Sequence, residues 1–318
     1  MAEKVLVTRE IPAAGLRPLE EFDVTVLSEA PPERADLLEA ASGAEGVLST
    51  VTEKIDGTFM DAAGEGLKVV ANMAVGYDNV DVEAAKARGV IVTNTPGVLD
   101  ETTADVAFML LLAAARRLGE SERVLRAGRW EWWGPKLFMG PDVWGKKLGI
   151  VGFGRIGQAV ARRARGFDME ILYHNRSRKG DAEEELGASY LELDELLEAA
   201  DFVSLHTPLT DETRHLIDAP ELERMKPEAV LVNTSRGPVV DEAALADALA
   251  QGRIFAAGLD VYEEEPKVHP KLLELENVVL APHIGSGSIE TRVKMAVLAA
   301  ENLTAVLRGE EPKTLVSG

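Results

Sequence analysis

The chain contains no cysteine. That removes disulfides, thiolate nucleophiles and cysteine-ligated metals together. Positive charge is scarce: 34 Lys and Arg stand against 54 Asp and Glu, a net charge of −20. Such a surface repels phosphate backbones, and no local basic patch offsets it, so no nucleic-acid partner is expected. An anionic ligand would need positive charge placed locally to hold it against this field. Long apolar runs are also missing. The longest, residues 106–115, is bounded by Asp105 and Arg116 and is too short to span a bilayer. Met1-Ala-Glu-Lys-Val-Leu-Val-Thr runs straight into a strand-like pattern and has no signal-peptide architecture. A soluble, cytoplasmic protein without a membrane partner is the expectation. The five histidines show no paired ligand spacing, and no metal site is expected.

What is present is globular. Of 318 residues, 46% are hydrophobic and 28% charged, enough for two domains with separate cores. Short β-branched runs alternate with helical patterns, the rhythm of parallel sheets joined by crossover helices. Strands are expected at 5–8, 24–27, 46–49, 68–71 and 90–93, with helices at 32–41 and 82–88 among them. That set predicts a compact flavodoxin-like domain. A long helix follows from near Asp100, capped by Asp100 or Thr102 and running to about Leu118. Trp130-Glu-Trp-Trp-Gly-Pro reads as a packed loop. A second doubly wound unit has strands expected at 148–152, 170–174, 202–206, 229–233, 255–260 and 278–281. The last amphipathic helix, 289–307, is stopped by Gly309 and Pro312 and has no strand after it. It is expected to cross back onto the first domain, making that domain discontinuous.

Gly152-Phe-Gly-Arg-Ile-Gly157 follows an apolar strand and opens a helix. In that setting Gly152 makes the tight turn, Gly154 lets backbone approach a pyrophosphate, and Gly157 lets helix pack on strand. The helix N-terminus, at Arg155 and Ile156, presents free N–H groups to phosphate. A tight turn without a ligand is the plainer alternative. NAD-specific sites place an acid at the end of the next strand. Here that stretch reads Tyr173-His-Asn175-Arg176-Ser177-Arg178-Lys179, with no acid before Asp181. Arg176, Ser177 and Arg178 suit a 2′-phosphate, so NADP(H) is the preferred cofactor, with NAD(H) possible. The other reading is a solvated basic loop that tolerates either.

Three further segments lie at strand ends: Asn233-Thr-Ser-Arg236, Asp260-Val-Tyr-Glu-Glu-Glu265-Pro, and Ala281-Pro-His283. Open α/β sheets bind ligands on that edge. Together they supply what carbonyl reduction needs. Arg236 can grip a carboxylate bidentately, His283 can deliver a proton, and Glu265 can orient the imidazole. Singly, each has a plain alternative as a loop hydrogen-bonder or a solvated charge. His206, also at a strand end, is the one rival imidazole.

These motifs resemble the D-isomer-specific 2-hydroxyacid dehydrogenase family. The resemblance spans the chain, including Ala74-Val-Gly-Tyr-Asp-Asn79, Asn94-Thr-Pro-Gly97, Thr103-Ala-Asp105, the glycine turn and Leu205-His-Thr-Pro-Leu209. Within the family the likeness is to the glyoxylate/hydroxypyruvate reductases. The resemblance implies a catalytic Arg236, Glu265 and His283, and a substrate carboxylate held by the amides of Val75 and Gly76 together with Arg236 and His283. It implies cofactor contacts from Thr103, Asn175, His206, Pro208, Thr213, Thr234, Ser235, Asp260 and Gly285, besides the glycine turn and the basic loop. It implies a Rossmann cofactor domain at 99–286 and a substrate-binding domain at 1–98 with 287–318, a cleft between them, and a homodimer built through the cofactor domains. Trp144 and the aromatic segment before it would then reach a neighbouring subunit, although core or dimer packing is the plainer role for Trp130, Trp132 and Trp133. The implied substrate is a small 2-oxo or 2-hydroxy acid. Rival readings are oxidation of D-3-phosphoglycerate or another D-2-hydroxy acid, formate oxidation, and a dinucleotide-sensing, corepressor-like binding protein. No regulatory extension is expected for the first of these and no docking tail for the last.

Overall fold

A computed structural model describes residues 2–316. The outermost residues of the expected substrate-binding domain, Met1 and Ser317–Gly318, lie outside the described residues. The chain divides into two compact units, Met1–Leu99 with Ser286–Gly318, and Asp100–Gly285. Leu99 and Ser286 therefore belong to the first unit rather than the second.

The first unit holds a parallel sheet of β1 (Lys4–Val7), β2 (Asp23–Val26), β3 (Gly46–Ser49), β4 (Val69–Asn72) and β5 (Ile91–Thr93), ordered β2-β1-β3-β4-β5. This is the flavodoxin-like order. Its helices are α1 (Arg34–Ala41), α2 (Gly57–Ala63) and α3 (Val82–Ala87). The second unit opens with α4 (Asp100–Ala115) and α5 (Leu118–Arg126). Its strands are β6 (Lys147–Val151), β7 (Glu170–His174), β8 (Ala188–Tyr190), β9 (Phe202–Leu205), β10 (Val230–Asn233), β11 (Ala256–Leu259) and β12 (Val278–Leu280). Interleaved are α6 (Arg155–Arg165), α7 (Gly180–Leu186), α8 (Leu193–Ala199), α9 (Ala219–Arg224), α10 (Glu242–Ala250) and α11 (Pro270–Glu274). The order β12-β11-β10-β9-β6-β7-β8 reverses between β6 and β9, the switch point at which doubly wound sheets bind dinucleotides.

Strands buried on both faces read as near-continuous apolar runs, and β1, β3, β9 and β10 come close to this, with nearly every residue enclosed and few polar residues among them. The final helix, α12 (Ile289–Leu307), returns to the first unit. A Cβ on Gly15 would lie 2.6 Å from that of Ala296, and Leu303 packs against Gly46 in β3.

Four expectations need correcting. The long helix does not reach Leu118: Arg117 adopts a left-handed conformation (φ 50°), so α4 stops at Ala115 and α5 restarts at Leu118. Asp100 and Thr102 lie inside the first turn of α4, not ahead of it. The edge strand β8 was not anticipated; it has three residues, with Ser189 exposed. The Trp130 segment is not packed within the chain, since Trp130, Trp132 and Trp133 are 54%, 67% and 77% exposed. Among the described residues no helix is long and apolar enough to cross a membrane.

Candidate active site

The chain leaves β6 through Gly152, whose φ is +94°; a Cβ there would sit 2.6 Å from the carbonyl carbon of His206, just past β9. Only glycine makes that turn without displacing backbone. Gly157 lets α6 close onto the same turn, where a Cβ would meet the Gly152 carbonyl oxygen at 2.3 Å. A Cβ on Gly154 meets nothing. Asn175 braces the turn from the end of β7, accepting from the Phe153 amide (3.2 Å) and donating to the Ser177 carbonyl (2.9 Å). Arg155 is exposed and Ile156 half-buried at the start of α6. Along this edge His206 Nδ1, Thr207 Oγ1 and Thr234 Oγ1 are buried without intramolecular partners. Buried polar atoms are ordinarily satisfied, so three orphans beside a glycine turn and a helix N-terminus fit a polar ligand such as a dinucleotide. Arg176, Ser177 and Arg178 are exposed beyond β7, with Arg178 paired to Glu183 at 2.7 Å. Pro208 is exposed, and the Thr213 hydroxyl is held within its own loop, donating to the Pro208 carbonyl at 2.6 Å.

Beyond β10, Asn233 is buried and organises the next turn. Its Oδ1 accepts from the Ser235 amide (3.0 Å) and hydroxyl (2.8 Å), and its Nδ2 donates to the Arg236 carbonyl (2.9 Å). Gly237 then lies so close to Tyr262 that a Cβ would be 1.8 Å from its carbonyl carbon. This contact draws the Arg236 turn against the loop beyond β11. There the Tyr262 amide donates to Glu265 Oε1 (3.0 Å), and Glu265 Oε2 meets His283 Nδ1 at 2.8 Å. Burial pushes the Glu265 pKa up. The His283 hydrogen bond, the Tyr262 amide and the Arg236 charge outweigh it and hold the carboxyl below its usual range. Arg236, Glu265 and His283 thus come together at the ends of β10, β11 and β12.

His283 has a left-handed backbone (φ 51°), uncommon outside glycine and asparagine. Its amide donates to the Asp260 carbonyl (2.8 Å), and the Asp260 carboxylate takes the amides of Ile284 and Gly285, each at 2.7 Å. Asp260 is buried, and burial raises its pKa. Thr103, in the first turn of α4, lies 3.4 Å from a Cβ placed on Gly285. The Tyr262 hydroxyl donates to the Ala281 carbonyl at 2.9 Å, and Glu242 and Glu263 brace the same loop by accepting each other's amides. His206 differs from His283 in kind. Its Nε2 meets Ser204 Oγ at 2.8 Å, and burial pushes its pKa down to about 3, so it stays neutral near pH 7.

In the first unit the loop 74–79 follows β4. Its carbonyls at Ala74, Val75 and Gly76 accept from the Thr95 amide (2.7 Å), Asn94 Nδ2 (2.9 Å) and Asn72 Nδ2 (3.0 Å). Among the described residues the Val75 and Gly76 amides donate no hydrogen bond within this unit. Asn79 ties the loop to the carbonyls of Thr50 (2.8 Å) and Glu53 (3.0 Å). Asn79, Asn94 and Asn233 lie in motifs visible in the sequence, but nothing there assigns them, or Asn72 and Tyr262, these bracing roles. One signal was available: β4 and β10 are apolar strands that each close on asparagine.

Glu53, 4% exposed, accepts from Thr8 and Thr50 hydroxyls, both at 2.9 Å, Arg9 (2.7 Å), Thr52 (2.7 Å) and the Thr50 amide (2.8 Å). Burial opposes its charge, but these donors hold its pKa below the ordinary 4.5. A depressed folded-state pKa stabilises the fold above the unfolded value and loses that contribution as pH falls through the folded one. Glu53→Gln is expected to reduce stability by about 1–3 kcal/mol at pH 7. The gap from wild type, read from urea midpoints, should narrow below pH 4.5. A gap that does not change with pH would rule out this source.

Residues 108–285 match the family model described as D-isomer specific 2-hydroxyacid dehydrogenase, NAD binding domain. The chain is 54% identical to a glyoxylate reductase of Korarchaeum cryptofilum over 322 residues, covering 100% of this chain and 96% of that protein. The crystal structure of the TT0316 protein of Thermus thermophilus superposes with a TM-score of 0.93 at 48% identity, covering 99% of this chain and 100% of that one. An NADPH-dependent glyoxylate/hydroxypyruvate reductase of Sinorhizobium meliloti, solved with NADP and malonate, gives a TM-score of 0.87 at 40% identity, covering 100% and 97%. The chain belongs to the D-isomer specific 2-hydroxyacid dehydrogenases, NAD(P)-dependent oxidoreductases built on two parallel-sheet α/β units.

Proposed function

We propose that this enzyme reduces glyoxylate to glycolate, or hydroxypyruvate to D-glycerate, with NADPH preferred and NADH accepted. The observation that carries the reading is the His283–Glu265 contact of 2.8 Å beside Arg236, in the unit that also holds the glycine turn. A bound nicotinamide supplies hydride to the substrate's C2. With Nδ1 turned to Glu265, His283 offers Nε2–H to the carbonyl oxygen. Glu265 keeps the imidazole in that orientation. The Arg236 guanidinium pairs with the substrate carboxylate and polarises the ketone. The amides of Val75 and Gly76, in the first unit, are further candidate donors to an anion. Arg176, Ser177 and Arg178 support NADPH, because no acid closes β7. Exposed Trp130, Trp132, Trp133 and Trp144, with Leu118 and Leu125 at 58% each, support a homodimer through the second unit.

The test is steady-state oxidation of NADPH and NADH with glyoxylate and with hydroxypyruvate, alongside light scattering on the same preparation. Turnover of both acids, faster kcat/KM with NADPH and twice the 34.3 kDa chain mass are expected. Cofactor binding without turnover of either acid would move the substrate assignment to a larger 2-oxo acid.

A further inference from the structure

Arg178 sits on the loop that meets the ribose in doubly wound units, yet its fork is already engaged. Glu183, on α7, accepts from its Nε at 3.0 Å and its Nη2 at 2.7 Å. Glu183 is itself held. The Tyr173 hydroxyl donates to Glu183 Oε1 at 2.5 Å and accepts from the Lys179 amide at 2.8 Å, and the Tyr173 ring is buried, stacked 4.3 Å from Phe153. The glutamate side chain is 18% exposed against 67% for the arginine, so the carboxylate is fixed and the guanidinium is the part free to swing. The guanidinium also lies 5.5 Å over the Tyr190 ring, which steadies it without claiming a donor.

We propose that Glu183 determines cofactor selectivity, its carboxylate holding the edge of Arg178 that a 2′-phosphate would otherwise take. This rests on the reading that the 175–178 loop meets the ribose. Binding of NADPH then exchanges one anion for another at Arg178. An ion pair with so exposed an arginine is weak, and a phosphate carrying nearly two charges displaces it. NADH leaves the Arg178–Glu183 pair intact, so no cation is stranded and the second cofactor is not excluded. Glu183 acts twice against NADPH, by engaging Arg178 and by like-charge repulsion of the incoming phosphate.

Glu183→Gln keeps an acceptor for the Tyr173 hydroxyl while removing the charge. Titrations of NADP+, NAD+, 2′,5′-ADP and 5′-AMP, followed by calorimetry, separate binding from turnover. In Glu183→Gln the Kd for NADP+ and 2′,5′-ADP should fall about three- to tenfold, with NAD+ and 5′-AMP nearly unchanged. Arg178→Ala should weaken the two 2′-phosphorylated ligands, and adding Glu183→Gln to it should recover much less than in wild type. If Arg178→Ala lowers selectivity but Glu183→Gln leaves it unchanged, the inference fails and the loop reading stands. If Glu183→Gln weakens all four ligands alike, Glu183 is only a staple and the inference fails. If Arg178→Ala changes neither ligand class relative to the other, the loop reading itself fails.

Discussion

Replacing His283 by alanine is expected to lower kcat for glyoxylate reduction by about 10²–10⁴-fold, with dinucleotide affinity nearly unchanged. The His283 imidazole faces the Glu265 carboxylate at 2.8 Å, and that carboxyl is held below its usual range. The other strand-end imidazole, His206, is pushed by burial to a pKa of about 3 and carries no imidazolium proton near pH 7. The backbone at His283 is left-handed but is held by three hydrogen bonds from the Asp260 segment. The loop should therefore survive loss of the side chain. A second variant, His283→Asn, suits that backbone, lacks a titrating group and should show the same collapse. Pre-steady-state kinetics with NADPH would separate hydride transfer from product release. A kcat within tenfold of wild type in both variants would place the proton donor elsewhere.

Gly237→Ala should cost activity through geometry alone. The added methyl would lie 1.8 Å and 2.0 Å from the carbonyl carbon and oxygen of Tyr262, and 2.4 Å from the Glu263 amide nitrogen. All are backbone atoms, so no rotamer change relieves the clash, and the turns carrying Arg236 and Glu265 must part. Misplacement by about 1 Å costs on the order of 10²-fold in rate. Overpacking adds about 1–3 kcal/mol of destabilisation, or several degrees in Tm. kcat/KM should therefore fall by about 100-fold or more. Gly180→Ala is the control, because its Cβ would meet nothing within 4 Å. If calorimetry and kinetics do not distinguish Gly237→Ala from that control, this close approach is not what sets the site.

The sequence and the structure agree most where burial writes itself into composition. Strands enclosed on both faces, such as Val230–Asn233, stand out as apolar runs, and their abrupt ends mark where Arg236, Glu265 and His283 must lie. The glycine turn is readable because its spacing follows from sterics. Short-range cues fail where long-range partners decide. The strand Ala188–Tyr190 forms by pairing with β7, not from its own propensity. The break at Arg117 is stabilised by Glu120 and the Met139 carbonyl, and nothing in its immediate sequence signals it. Tyr262, Asn94 and Glu183 act through neighbours 19, 19 and 10 positions away, beyond any periodicity. The tryptophans look like core by residue type, yet the chain alone leaves them in solvent.

The return of α12 has a consequence for how the molecule comes off the ribosome. A nascent chain that has emerged as far as Gly285 contains every residue of the second unit. Its first ninety-nine residues, made earlier, still lack the helix that lies against Gly15 and Gly46. They also lack Asn302 and Thr314, which fasten the Asn94 carbonyl beside the candidate carboxylate loop. The unit begun first is thus the one completed last. Its apolar sheet face must wait, uncovered, for the whole second unit to be synthesised.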